Sequence, residues 1–180
     1  MSVSKLHKAF LAVIALMAMA ACSSIDCSLN SKVLCNVQLQ DSDGDSVVLA
    51  YPLTVALVYA NGDTTHYINQ RSNVSSFDIP LSYLGEEDMM LIELSITDTI
   101  TITTDTGTID TIATYRLADK IRIRKSNEPW FESVDCNAHY NHTIFSADAE
   151  THNFIDHIVI NDAYVTNDPN KKNLFIRIRD

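Results

Sequence analysis

Glycine and proline are scarce, four of each in 180 residues, and there is one tryptophan. No linker, low-complexity block or domain boundary shows along the chain. Basic residues are also few: 13 Lys and Arg stand against 23 Asp and Glu, a formal charge of -10. Nucleic acid needs a basic footprint, so that class of partner is excluded. The acidic body would also not lie flat on anionic lipid. No apolar run is long enough for a comfortable membrane span, which takes roughly 20 residues. Almost nothing after the first twenty or so residues reads as helical.

What is present begins at the N-terminus. Lys5 and Lys8 precede the apolar run Ala9 to Ala21, which ends in small residues. A basic start, a short apolar core and a small-residue end make a secretory signal peptide, residues 1–21. The string Ala20-Ala21-Cys22 resembles the lipobox of bacterial lipoproteins, with Met19 where that signal usually has leucine. The resemblance implies a diacylglyceryl group on the Cys22 thiol and cleavage just before it. Several acyl chains exceed what stable anchoring requires. Cleavage after Ala21 with Cys22 left as a thiol is the alternative. Ser23 and Ser24 follow Cys22 in place of the aspartate that retains enteric lipoproteins at the inner membrane, so an outer-membrane location is expected. The mature chain, 22–180, carries -12 once Lys5 and Lys8 leave. It is long enough for one domain with a real core.

Cys27, Cys35 and Cys136 remain. An exported chain meets an oxidising compartment, so a disulfide is expected, and the odd count leaves one cysteine over. Cys27–Cys136 is the preferred pair. It would close a long loop worth about 4 kcal/mol on the chain-entropy model. Cys27–Cys35 is the runner-up, although Cys35 alternates with Val33, Val37 and Leu39 as a small core residue does.

The body reads as strands. Val33 to Gln40 alternates with period two, Leu53 to Tyr59 ends at the hairpin signal Asn61-Gly62, and Thr65 to Ile68 would pair back on it. Ser75 to Pro80 is expected as an edge strand closed by proline, and Met89 to Ile96 as a central strand. Thr99 to Thr103, Ile109 to Tyr115, Lys120 to Lys125, Thr143 to Phe145, Ile155 to Ile160 and Leu174 to Ile178 follow. In Lys120 to Lys125 the inward residues are Ile121 and Ile123, with Arg122 and Arg124 outward. Around ten short strands at this spacing predict an all-β fold, an immunoglobulin-like antiparallel β-sandwich.

Candidate chemistry is thin. Asp41-Ser-Asp-Gly-Asp45 offers oxygens at alternate positions, but Ser46 and Pro52 stand where a calcium loop needs glycine and glutamate, so a turn at Asp43-Gly44 is expected. His139 and His142 are three apart, which shares a face on a helix and not on a strand. His152 and His157 add no compact ligand motif, so no metal or other cofactor is expected. A Cys136–His nucleophile is ruled out by the expected oxidation of the thiol. No serine sits in a nucleophile elbow. With no acid–base constellation, the chain is not expected to be an enzyme. Trp130-Phe131 follows Pro129. An exposed tryptophan there would stack on a sugar or a partner, but a Trp capping the core is the favoured expectation.

Four triplets, Asp45-Ser46-Val47, Asp63-Thr64-Thr65, Asp98-Thr99-Ile100 and Asp110-Thr111-Ile112, resemble the O-glycosylation acceptor of exported Bacteroidetes proteins. The resemblance marks Ser46, Thr64, Thr99 and Thr111, with the turn-adjacent Ser46 and Thr64 favoured for exposure.

Further landmarks run in order: "SIDCSLNS" at Ser24 to Ser31, "SDGD" at Ser42 to Asp45, "SNVSSFDIPLSY" at Ser72 to Tyr83, "SNEPWFESVDC" at Ser126 to Cys136, "HTI" at His142 to Ile144 and "THNFIDHIVINDAYVTND" at Thr151 to Asp168. Together they resemble an uncharacterised lipoprotein family of Bacteroidetes. The resemblance covers essentially the whole mature chain and supports the Cys27–Cys136 pairing, because both Asp-Cys dipeptides fall in landmarks. It implies a lipid-anchored outer-membrane protein, on the periplasmic face or the cell surface. An outer-membrane β-barrel protein is the expected partner. No catalytic residue carries over. The expected function is a non-enzymatic accessory or interaction module. The alternative is a carbohydrate- or ligand-binding lipoprotein of an uptake system, with glycan as the partner.

Overall fold

The computed structural model describes residues 33–59, 61–105, 107–131 and 138–179. The expected signal peptide, residues 1–21, and the expected lipidation and disulfide positions Cys22, Cys27 and Cys136 lie outside the described residues. All the described strands belong to one compact unit, Asn30–Trp130 with Ala138–Asp180.

Ten strands form two sheets. In chain order they are β1 (Leu34–Gln40), β2 (Leu53–Val58), β3 (Thr64–Arg71), β4 (Ser76–Pro80), β5 (Glu87–Thr104), β6 (Gly107–Trp130), β7 (His139–Ala149), β8 (Ile155–Ile160), β9 (Tyr164–Val165) and β10 (Leu174–Ile178). The smaller sheet has the order β4-β1-β10-β8 and the larger β3-β2-β5-β6-β7-β9. The fold is all-β and two-layered, as expected. One pairing departs from the antiparallel rule: β1 and β10 run parallel, Val37 beside Leu174 and Gln40 beside Arg177. A parallel pair needs a long crossover. Here eight intervening strands supply it.

The core forms because inward residues of both sheets alternate with outward ones. Cys35, Val37 and Leu39 of β1 and Leu174 and Ile176 of β10 meet Val55 of β2, Met90 and Ile92 of β5 and Ile121 and Ile123 of β6 in one buried cluster. Cys35 is a core residue with a free thiol, and burial pushes that thiol up, holding it neutral. Pro80 ends β4 at the edge of its sheet, where a missing N–H costs nothing. Gly62 turns the β2–β3 hairpin at φ +88°.

Two elements are much longer than the sequence reading expects. Met89–Ile96 and Thr99–Thr103 are one strand, β5. Ile109–Tyr115 and Lys120–Lys125 are one strand, β6, which runs on through Pro129 to Trp130. Their pairing runs in unbroken register from Glu87–Arg124 to Thr104–Gly107.

Candidate interaction surface

The partners of β5 and β6 stop early. β2 reaches β5 only as far as Leu53 opposite Leu94, and β7 reaches β6 only from Ala149 opposite Ile121. Beyond those points the hairpin continues alone as a two-stranded ribbon, about 25 Å long from Thr97 to Thr104 at roughly 3.3 Å per residue.

The ribbon has two unlike faces. One carries the cross-strand pairs Ile96–Tyr115, Asp98–Ala113, Ile100–Thr111 and Ile102–Ile109, and it continues the alternation that buries Met90, Ile92 and Leu94 lower down. No layer covers it among the described residues, and Ile109 is 60 % exposed. The other face is mostly threonine: Thr97–Thr114, Thr99–Ile112, Thr101–Asp110 and Thr103–Thr108. Thr97 and Thr114 share a hydroxyl hydrogen bond of 3.1 Å, and Thr101 Oγ1 donates to Asp110 Oδ1 at 2.7 Å. Ile112 stands among these polar groups 74 % exposed. From Thr97 to Tyr115 the charged residues are Asp98, Asp105 and Asp110, with no Lys or Arg.

Both strands are fastened where the ribbon leaves the body. On β5, Ser95 N–H donates to Pro52 O at 3.0 Å, and Gln70 Nε2 donates to Ser95 Oγ and to Thr54 Oγ1. On β6, the buried Asp119 carboxylate accepts the N–H groups of Asn153 at 2.7 Å and of Phe154 and Ile155 at 2.9 Å, at the start of β8. Burial alone would raise the pKa of Asp119, but these donors outweigh it and hold the group below the usual carboxylate value.

The opposite pole holds a second polar knot. Lys125 shares the inward parity of Ile121 and Ile123 and is fully buried. Its ammonium donates to Ser82 O, to Gly85 O at 2.7 Å and to Asn127 Oδ1 at 2.9 Å, and lies 3.4 Å from Asp88 Oδ2. It thereby pins the loop 81–86 to the larger sheet. A cleft of about 440 Å³ lies beside this loop, between Tyr59 and Asn61 on one side and Leu84 and Glu87 on the other. Asp88 lines it too, but its carboxylate is already engaged by Lys125 and by Ser82 N–H at 3.0 Å. His142 Nδ1 donates to Asn127 Oδ1 at 2.8 Å, since that oxygen can only accept.

Burial and the Lys125 charge hold His142 at about 4, below its ordinary 6.5. The imidazole is therefore neutral in the folded protein, while the unfolded chain takes up a proton below pH 6.5. Stability should fall by about 2 kcal/mol between pH 6.5 and 5 on this account. Urea unfolding across that range should show the slope in the native protein and lose it in His142→Gln. An equal slope in both would refute the assignment.

The other expected positions find ordinary surroundings. Asp41 Oδ1 accepts the N–H groups of Asp43, Gly44 and Asp45 within 3.1 Å and closes the expected turn, with Gly44 at φ +101°. β7 sets His139 opposite Trp130 and His142 opposite Asn127, on its two different faces. His152 meets Ile155 O, and His157 meets Asp156. Ser46, Thr64 and Thr99 are exposed, and Thr111 is half-buried beside Ile100.

Trp130 is a correction. It does not cap the core but stands 42 % exposed, its ring tilted against His139 at 5.8 Å. The reason is register: β6 continues to Trp130, an outward position in line with Arg122 and Arg124. Tyr83 and Tyr140 stack at 4.9 Å. Tyr140 is one residue from His139 on β7, so this pair lies on the other face from Trp130.

Sequence signals for both polar knots existed. Asp88, Asp119 and Lys125 each fall on the inward parity of a strand, where a charged residue must find partners.

Fold and surface together define an all-β, two-layer domain that carries a projecting amphipathic ribbon. The chain belongs to a family of unknown function, DUF6452, whose model matches residues 53–178, from the first residue of β2 to the last of β10. No curated protein and no solved structure matches the chain.

Proposed function

We propose that the protein is a lipid-anchored, non-enzymatic interaction module of the outer membrane, and that the ribbon is its working surface. The projecting ribbon with its uncovered apolar face carries this reading. Contiguous exposed apolar surface on a stable body marks interaction sites. The body suits the task, because its buried charges are spent on fastening the ribbon base and the 81–86 loop.

The anchor follows from Lys5, Lys8, the run to Ala21 and Cys22. It fits the geometry. β1 starts beside Pro80, and the chain passes from Pro80 through the 81–86 loop to the start of β5. The ribbon leaves from the far end of β5. Chain tethered through Val33 would thus hold the ribbon tip away from the membrane, toward a partner.

One fractionation and crosslinked pull-down compares three chains: native, Cys22→Ala, and one with residues 97–114 replaced by Asn-Gly. Ile96 and Tyr115 face each other across the hairpin, and a two-residue Asn-Gly turn suits that closure. The native chain should fractionate with membranes and capture a stoichiometric partner. Cys22→Ala should become soluble, and the shortened chain should stay anchored and lose the partner. A membrane-bound Cys22→Ala chain would sink the anchor. Full capture by the shortened chain would sink the ribbon.

The exposed Trp130 favours a second reading, a carbohydrate- or ligand-binding lipoprotein of an uptake system. Its ring faces away from the Tyr83–Tyr140 stack, so the three do not make one sugar platform. Thermal stabilisation by a glycan, lost in Trp130→Ala, would select this reading.

A further inference from the structure

Backbone groups along a strand point alternately to its two sides. The Ser95 N–H points toward the β2 side, where it meets Pro52 O. Thr97, Thr99, Thr101 and Thr103 therefore turn their N–H and C=O groups to that same side. β2 has ended by then, and among the described residues no strand lies against this stretch. The Thr99 N–H is met by the neighbouring Asp98 carboxylate at 2.8 Å.

Exposed edges are usually blunted by lysine, proline, a bulge or a covering loop. Among the described residues this edge has no lysine, proline, bulge or covering loop, and its one blunting device is the inward-facing Asp98. Its four outward residues are all threonine, a β-branched residue that favours strands. The opposite edge of the ribbon differs, because Asp110 stands on it.

We propose that β5 from Thr97 to Thr103 takes up a cationic extended segment of a partner protein as an added strand, in line with β2. This rests on the ribbon reading above and names its mode and partner chemistry. Main-chain hydrogen bonds would supply affinity and alternate side chains specificity. On the apolar face the added strand lies beside Asp98, Ile100 and Ile102. It therefore carries a lysine or arginine opposite Asp98 and apolar side chains next to the two isoleucines. The charge argument selects the occupant. The ribbon presents three aspartates and no cation, on a mature chain of charge -12. A second copy or an anionic lipid surface would meet charge of the same sign, whereas a cationic segment is steered in.

The probe is a labelled, end-capped peptide of alternating threonine and valine, with lysine at its ends and at the position beside Asp98. Its counterpart carries glutamate in place of each lysine. Anisotropy titration uses the full-length protein in detergent. The lysine peptide should bind, and at least tenfold more tightly than the glutamate peptide. Thr101→Pro removes one edge N–H and no bond within the ribbon backbone. It should weaken binding at least tenfold, as should Thr101→Lys, which keeps every backbone donor. Both variants should melt within 2 °C of the native protein, roughly the shift of a change under 1 kcal/mol.

Absence of binding, equal binding of the two peptides, or binding unchanged in Thr101→Pro would overturn the proposal. So would sedimentation of a dimer, or binding to anionic vesicles, that Thr101→Pro abolishes. If the shortened chain loses its captured partner but Thr101→Pro keeps it, strand addition fails while the ribbon reading stands. If the shortened chain keeps the partner, both fail.

Discussion

Asp119→Ala is expected to destabilise the protein by about 4 kcal/mol, from the stranding of buried N–H groups at about 1–3 kcal/mol each and the loss of charge-assisted bonds. The carboxylate is fully buried and holds the N–H groups of Asn153, Phe154 and Ile155. Alanine leaves these donors facing an empty pocket at the start of β8. Asp119→Asn keeps one acceptor oxygen but turns an amide NH₂ toward the remaining donors, so about half the loss is expected. Urea unfolding measures this as a lower midpoint with an unchanged slope. A loss under 1 kcal/mol would mean that water replaces the carboxylate. The pH dependence adds a second readout. The folded pKa lies below the ordinary 3.8, so the contribution is full above that value and is lost as pH falls through the folded one. The native protein should thus show a loss of stability below about pH 4 that Asp119→Ala lacks.

That residue also shows where sequence reading reaches and where it stops. Period-two alternation sets the limits of β10, Leu174–Ile178, where Leu174 and Ile176 are buried on one face, whereas β8, Ile155–Ile160, keeps its expected limits without alternating. The continuity of β6 through Asp119 was not legible. Aspartate disfavours strands, and only the β8 N–H groups, distant in sequence, make it welcome. Asp98 raises the same difficulty in β5, and there the Thr99 N–H is the partner that removes it. Asp98 falls between the expected strands Met89–Ile96 and Thr99–Thr103, and Asp119 between Ile109–Tyr115 and Lys120–Lys125, so the sequence alone does not join the ribbon into one hairpin. The β1–β10 pair was equally hidden, since the two strands are far apart in the chain. Lys125 is a different case. Its inward parity was visible beside Ile121 and Ile123, and a lysine there demands oxygen partners. Trp130 is hidden from the sequence for another reason: proline disfavours a strand, yet Pro129 sits in β6 opposite Tyr140 and carries Trp130 on to an outward position.

Lys125→Met should cost about 3 kcal/mol, in the range for breaking one side of a buried ion pair. Methionine fills most of the aliphatic stem but donates nothing. Ser82 O, Gly85 O and Asn127 Oδ1 lose a donor, and Asp88 keeps only the Ser82 N–H. The pKa directions describe the same balance. Burial raises Asp88 and lowers Lys125, and each charge partly opposes the shift of the other. Adding Asp88→Asn to Lys125→Met removes the stranded charge. The double variant should therefore be more stable than Lys125→Met alone by about 1 kcal/mol or more, a coupling that double-mutant cycles resolve. Hydrogen exchange gives the local view: the Ser82 and Lys125 amides, which bond to Asp88 and Glu86, should lose protection before the core of β5. The ribbon leaves from the other end of β5, so the lysine peptide should bind Lys125→Met as it binds the native protein wherever the variant is folded. Strictly additive single and double losses would show that Asp88 is solvated without Lys125. A parallel loss of peptide binding would show that the two poles are coupled through β5 and β6, and that the Lys125 knot serves the ribbon as well as the loop.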